Sequence, residues 1–461
     1  MQEQRGKTLV LKAFKCENTI RAPWVPFSGV HSGSLIGADS ESYLKSASLI
    51  AEGVSKAIEL YKADGVPVVF DLQLEAEALG CKLLWTKENP PSVVSHPLSL
   101  GVTLEELNIP SANEGRIYIV MEAAKLLRDR HKDIALYGLV TGPFTLALHL
   151  MGTDIFMQML INEEYVRGVL RFCTEVAKTM SHYYTQAGCD VIAVVDPMTS
   201  QIGTDHFLSL VKPEMVELFS FLRERDTPSS FFVCGDATHN LEEMARCMPD
   251  NISVDENISL ELVKEICIER GISFGGNLRL TSTILLGSKE ECMADAIDCL
   301  DKGGERGYII SPGCDMPYSS KPHNVIAIAD TIMDEYTRKV ARELKKSLKS
   351  TTPQLRLPNY SKEQNVIIDV VTLDSLSCAP CQYMVDAVKR AVERSGGVAV
   401  YKEHKIKDIN GLAMMRALNV KSIPTICIDG EALFESTIPP LEGLINSITQ
   451  RWISKHERDG E

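Results

Sequence analysis

The chain lacks several features that would have assigned it to a class at once. No apolar run among its 461 residues is long enough to span a bilayer. The opening Met1-Gln2-Glu3-Gln4-Arg5-Gly6-Lys7 has none of the apolar stretch of a signal peptide. Positive charge is in deficit: 48 Lys and Arg stand against 62 Asp and Glu, a net charge of -14. That argues against a general binder of nucleic acid or of an anionic membrane, because phosphate contacts need a basic surface. An even, closely spaced cysteine framework is missing too. Thirteen cysteines, an odd number, are scattered along a long chain, so reduced thiols in the cytoplasm are expected rather than a secreted disulfide scaffold.

What is present is ordinary in bulk, with 44% apolar and 24% charged residues, and enough length for two or three domains. Apolar β-rich runs at 22–29, 67–71, 135–140, 190–196, 229–234, 251–255, 272–277 and 307–311 are each followed by a segment of helical period. Eight strand–helix units predict an α/β chain whose first part is a (β/α)8 barrel. The stretch 72–134 is too long for a plain connection and is expected to add helices at the rim. Residues 343–363, rich in Lys, Ser and Thr and containing Pro353 and Pro358, read as a linker. The divisions expected are thus 1–342, a linker at 343–363, and a small α/β domain at 364–461. Within the latter, Val366–Val371 and Val398–Tyr401 read as strands, and Asp429-Gly430 as a hairpin turn.

Cys234 and Cys314 each end a run that reads as a buried strand, Phe231-Phe232-Val233-Cys234-Gly235 and Tyr308-Ile309-Ile310-Ser311-Pro312-Gly313-Cys314. Thiols at the C-terminal ends of barrel strands face the barrel mouth, where they can converge on a soft cation, zinc above all. The plainer role is that of small buried hydrophobes, and two ligands do not make a site. Carboxylates at other strand ends add donors: Asp71 with Glu75 and Glu77 after the second strand, Asp196 after the fourth, Asp255 and Glu256 after the sixth. Singly, each fits a solvated loop or a helix cap. His149, entering a helix after Gly142-Pro143-Phe144-Thr145-Leu146, is a satisfied pocket histidine or a substrate contact; His31, His239 and His323 have no motif support.

Residues from about 20 to 340 resemble the uroporphyrinogen decarboxylase superfamily, a (β/α)8 barrel, through the Gly142-Pro143-Phe144-Thr145-Leu146 turn. Glu75-Ala76-Glu77-Ala78-Leu79-Gly80, Cys234-Gly235, Ser253-Val254-Asp255-Glu256, Gly275-Gly276-Asn277-Leu278 and Ser311-Pro312-Gly313-Cys314 resemble its corrinoid methyltransferase branch. The decarboxylases carry an Arg-rich N-terminal segment for substrate propionates, where this chain has the single Arg21 in Arg21-Ala22-Pro23-Trp24-Val25-Pro26-Phe27-Ser28-Gly29. They also place a histidine where Cys314 stands.

The resemblance therefore implies a zinc-dependent methyltransferase acting between a methylcobamide and a small acceptor, a thiol or tetrahydrofolate. Zinc would lower the proton affinity of the acceptor thiol, which would then attack the methyl group. The branch has His-x-Cys on the fifth strand where this chain reads Phe232-Val233-Cys234. The implied ligands are thus Cys234 and Cys314 with Glu75 or Glu77, Asp255 ranking lower. The chain has no Asp-x-His-x-x-Gly corrinoid signature, so the corrinoid is expected on a separate protein. A lyase on the same scaffold would use Asp71 as general acid.

Cys378-Ala379-Pro380-Cys381 has redox spacing at a strand–helix junction. Cys378 would be the attacking thiolate and Cys381 the resolving one. With Ile423-Pro424-Thr425 placed as for a cis proline beside the pair, residues 364–455 resemble a thioredoxin or glutaredoxin-like domain. A half zinc ribbon would need a second ligand pair, and only Cys427 follows. A redox protein whose barrel is a metal-free scaffold is the competing function.

Overall fold

The computed structural model describes residues 6–347, 355–376 and 378–457. They divide into two compact units parted near residue 349, with the short segment 153–161 grouping with the second.

The first unit is built on seven parallel strands in sequential order: β1 (Gly65–Pro67), β2 (Ala135–Thr141), β3 (Val191–Val195), β4 (Ser229–Val233), β5 (Asn251–Val254), β6 (Ser273–Leu278) and β7 (Tyr308–Pro312). Apart from Asn277 in β6, every residue of these strands is buried. Strands covered on both faces read as near-continuous apolar runs, which is why they were legible. Side-chain alternation sorts the two faces. Phe231 points outward onto Phe207 and Phe219, with ring centroids 6.4 and 5.6 Å away. Phe232 points into the barrel with Phe27, Phe70, Tyr137, Val195 and Ile309.

The expected first strand at 22–29 is not a ladder strand. Only Trp24 bridges to Ile310, and a helix begins at Gly29. The segment nevertheless lies between β7 and β1: Ile310 N donates to Pro23 O and Val25 N to Ile310 O, both at 3.0 Å, while Asp64 N donates to Trp24 O at 2.9 Å. Pro23 and Pro26 have no N–H, so a longer ladder cannot form, and the barrel is distorted and partly open there. The strand expected at 67–71 also lies earlier, at 65–67, and its end is carried on by one bond from Val68 N to Tyr137 O. The long stretch after β1 holds the short helix α1 (Leu74–Ala78), a small two-stranded hairpin and the helix α2 (Gly115–Arg130). Helix α3 (Pro143–Met151) follows β2 directly.

The second unit contains β8 (Val366–Thr372), β9 (Ala399–Lys405), β10 (Thr425–Ile428) and β11 (Glu431–Glu435) in the order β9-β8-β10-β11. The β8–β9 pair is parallel and the others antiparallel. Asp429 and Gly430 close the hairpin with φ of 48° and 82°, the paired left-handed conformation that two-residue hairpin loops favour. Helix α4 (Ala379–Arg394) starts at the Cys-x-x-Cys, and the Ile423–Pro424 bond is cis. Among the described residues no single helix is long and apolar enough to cross a membrane.

Candidate active site at the barrel mouth

Cys234 follows β4 immediately and Cys314 follows β7 by two residues, and both thiols pack on the same buried aromatic cluster. Ten of the thirteen cysteines are buried; Cys234, Cys314 and Cys378 are the three with partial exposure. One carboxylate-bearing turn touches both barrel thiol segments. Asp255, at the end of β5, accepts from Gly235 N at 2.5 Å and from Asn257 N and Nδ2 at 2.9 Å each. On the other side, a side chain at Gly313 would meet Glu256 Oε2 at 2.6 Å and Asp255 Cα at 2.8 Å. Only glycine lets the Cys314 turn lie this close. Glu256 Oε1 accepts from Leu280 N at 3.1 Å. Burial raises the proton affinity of both carboxyls, and the neighbouring Asp255 charge raises Glu256 further.

The carboxylates singled out after β1 are engaged elsewhere. Glu75, 1% exposed, accepts from Thr141 N at 3.1 Å and from Thr141 Oγ1 at 2.7 Å. Thr141 has one hydroxyl proton and a second acceptor, Leu72 O, at 3.0 Å. Burial pushes the Glu75 carboxyl up to about 7, against the lowering effect of the Thr141 bonds. When Glu75 carries the proton it donates to Thr141 Oγ1, Thr141 donates to Leu72 O, and every partner is satisfied. Asp196 grips the same turn from the other side. It accepts from Phe144 N at 3.0 Å, Thr145 N at 2.9 Å and Thr145 Oγ1 at 2.6 Å. Burial lifts its carboxyl to about 7 as well. The Gly142-Pro143-Phe144-Thr145 turn is thus clamped between two buried carboxyls, and a side chain at Gly142 would lie 2.3 Å from Asp196 Cβ.

Glu77 pairs with Arg116 Nε at 2.5 Å, and Asp71 pairs with Arg116 Nη1. Arg116 escaped the sequence reading. It sits on the buried face of α2 with Ile117, Val120, Ala124 and Leu127, and a cation on an apolar helix stripe is the signal of a buried ion pair. Its Nη2 is buried and makes no hydrogen bond among the described residues, and its guanidinium lies 4.9 Å from the Trp85 ring centroid. His149 is buried in α3, where burial lowers its proton affinity to about 3; its carbonyl accepts from His96 Nδ1 at 2.8 Å. His31 is held by Tyr61 and Tyr318, His239 by Ile202, and His323 is exposed.

Among the described residues, no group of three or more His, Cys, Asp or Glu converges as a metal ion requires. The position two before Cys234 is filled by the Phe232 ring, 5.0 Å from Phe27 and 5.8 Å from Phe70 between centroids. Cys234 and Cys314 are soft donors, but as folded the barrel mouth does not complete a zinc site. In the second unit, Cys378 stands at the N-cap position of α4 without a side-chain capping bond, and buried Cys381 accepts from Leu373 N at 3.3 Å. Burial, with Cys378 adjoining, pushes the Cys381 thiol well up.

Residues 5–334 match the uroporphyrinogen decarboxylase (URO-D) family, and 366–449 match a thioredoxin domain. The chain belongs to the uroporphyrinogen decarboxylase family. Within it, the chain is 28% identical over 322 residues to the methylcobamide:CoM methyltransferase MtbA of Methanosarcina acetivorans, covering 68% of this chain and 93% of that one. A uroporphyrinogen decarboxylase of Geobacter sulfurreducens is 23% identical over 296 residues, covering 62% and 85%. Among solved structures, a methyltransferase from Methanosarcina mazei superposes with a TM-score of 0.65 at 26% identity, covering 73% of this chain and 98% of that one. The family barrel carrying a thioredoxin-like domain, and the kinship with methylcobamide:CoM methyltransferases, are therefore established.

Proposed function

We propose that the barrel is a corrinoid-dependent methyltransferase that moves a methyl group between a methylcobamide on a separate corrinoid protein and a small acceptor, a thiol or tetrahydrofolate. The observation that carries this reading is the pair of partly exposed thiols, Cys234 and Cys314, at two strand ends against one Asp255–Glu256 turn. Of the relatives named above, MtbA is a methylcobamide:CoM methyltransferase, and the match covers 93% of its length.

A methylcobamide presented at the mouth would supply an electrophilic methyl group. A thiol acceptor must shed its proton to attack. The Asp255–Glu256 pair, with its raised proton affinity, is the group beside the thiols that can take it. Zinc is not needed for this reading: with Glu75 and Glu77 committed to Thr141 and Arg116, Cys234 and Cys314 are two soft donors, fewer than a zinc site requires. A lyase reading needs Asp71 as a proton donor, and Asp71 is occupied as an acceptor for Arg116 and Gln73 N.

The test uses anaerobic, fully reduced protein with methylcobalamin and 2-mercaptoethanesulfonate, and in parallel with tetrahydrofolate. Demethylation is followed at the cobalt absorption band, and zinc by plasma mass spectrometry. Cys234→Ser and Cys314→Ser are expected to lose at least about 100-fold in rate, a transition-state cost of roughly 3 kcal/mol, together with any bound zinc. A parent rate no higher than that of the double variant with every acceptor would overturn the proposal.

A further inference from the structure

Partly exposed cysteines occur in both units. Three of the thirteen thiols are partly exposed, two at the barrel mouth and one in the Cys-x-x-Cys. The dithiol is asymmetric in the way a reductant requires: Cys378 is accessible at the start of a 16-residue helix, and Cys381 is buried one turn further on. An accessible sulfur attacks a foreign disulfide, and a sheltered neighbour resolves the mixed disulfide before solvent thiols intervene. At the barrel, the residues next to the two partly exposed thiols, Gly235 and Gly313, both lie against Asp255, and both thiols pack on one aromatic cluster. A client in the same chain meets the dithiol as an intramolecular partner rather than by bimolecular collision.

From this we infer that the Cys378–Cys381 dithiol has the chain's own barrel thiols as its client, reducing a Cys234–Cys314 disulfide and returning the mouth to its dithiol form. The inference rests on the methyltransferase reading only in making Cys234 and Cys314 the thiols worth protecting. A peroxide oxidises the barrel pair, two thiols and one peroxide giving one disulfide and two waters. The Cys378 thiolate attacks one barrel sulfur, the barrel S–S bond breaks, and the departing thiolate takes up a proton. Cys381, losing its proton, then attacks the Cys378 sulfur, forming Cys378–Cys381 and releasing the second barrel thiolate. The barrel pair gains two electrons and two protons, the module loses them, and an external dithiol restores the module.

The test maps disulfides in the full-length chain. Reduced protein is treated with one equivalent of hydrogen peroxide, quenched with N-ethylmaleimide, digested and read by mass spectrometry, with no corrinoid present. In the parent, the disulfide is expected at Cys378–Cys381, with Cys234 and Cys314 alkylated. In Cys378→Ser it should stay on the barrel pair. In Cys381→Ser, and in Cys381→Ala as a guard against misfolding, a peptide joining Cys378 to Cys234 or Cys314 should accumulate at least about tenfold over the parent. The same two variants are checked for Cys378 reactivity with a chromogenic aryl disulfide. A reactive Cys378 without any barrel cross-link, or a parent that keeps the barrel disulfide beside a reduced Cys378–Cys381 pair, overturns the inference. Neither result bears on methyl transfer by the reduced enzyme, whose failure would be seen in the demethylation assay alone.

Discussion

Glu75→Gln separates a metal ligand from a structural clamp. In the folded chain the Glu75 carboxyl is pushed from 4.5 up to about 7 by burial. A carboxyl with a raised folded pKa binds more protons folded than unfolded across that window, so it makes stability fall as pH rises from about 4.5 to about 7. The full penalty stands above that range. Its size is bounded by about 2.5 pH units at about 1.36 kcal/mol each, or about 3 kcal/mol. Glutamine copies the neutral acid: Oε1 can accept from Thr141 N, and Nε2 can donate to Thr141 Oγ1 while the hydroxyl keeps Leu72 O. The variant is expected to match the parent near pH 5 and to exceed it by about 1–3 kcal/mol at pH 8.5. Asp196, Asp255 and Glu256 slope the same way in both proteins, so the difference between them isolates Glu75. Urea unfolding would be followed by tryptophan fluorescence in a Trp452→Phe background, leaving Trp24 and Trp85 to report on the barrel. A variant less stable than the parent by more than about 2 kcal/mol at pH 8.5 would refute the protonated clamp and restore Glu75 as a required anion.

Two further outcomes follow from the packing. Arg116→Met leaves Asp71 buried without its cation and is expected to cost about 3–5 kcal/mol, with Asp71→Asn added to it recovering at least half. The same urea series measures both, and no recovery would mean that the pair is not the source of the loss. Gly142→Ala forces a methyl within 2.3 Å of Asp196 Cβ and is expected to destabilise the barrel by about 2 kcal/mol or more; a melting temperature unchanged within about 1 °C would contradict the clamped turn.

The sequence disclosed what local pattern controls. Six of the seven ladder strands fall within a residue or two of the apolar runs, since parallel strands buried on both faces carry an uninterrupted signal. The Asp429-Gly430 hairpin was legible because its two left-handed residues set the turn by themselves. The segment 22–29 misled because its apolar content is real while Pro23 and Pro26 withhold the donors of a ladder. At the site, the strand-end thiols were visible, but sequence alone could not tell which strand-end carboxylates are already paired within the fold. Glu75 and Glu77 follow a strand end in sequence just as Asp255 and Glu256 do. What distinguishes them lies 66 residues away in Thr141 and 39 residues away in Arg116, beyond the reach of periodicity or spacing.

The charge arrangement at the mouth bears on the choice between the two chemistries found in this family. A tetrapyrrole substrate presents several carboxylates and needs several cations to meet them. Here the strand ends present Asp196, Asp255 and Glu256, each raised in proton affinity by burial. The guanidinium beside the Asp71 strand end, Arg116, already serves Asp71 and Glu77, and its remaining nitrogen, Nη2, is buried. Arg21, the single arginine of the N-terminal segment, is spent on Asp64 at 2.6 and 2.9 Å. Neither Arg21 nor Arg116 is therefore free to meet a polycarboxylate, which favours the methyltransferase reading proposed above over the decarboxylase one.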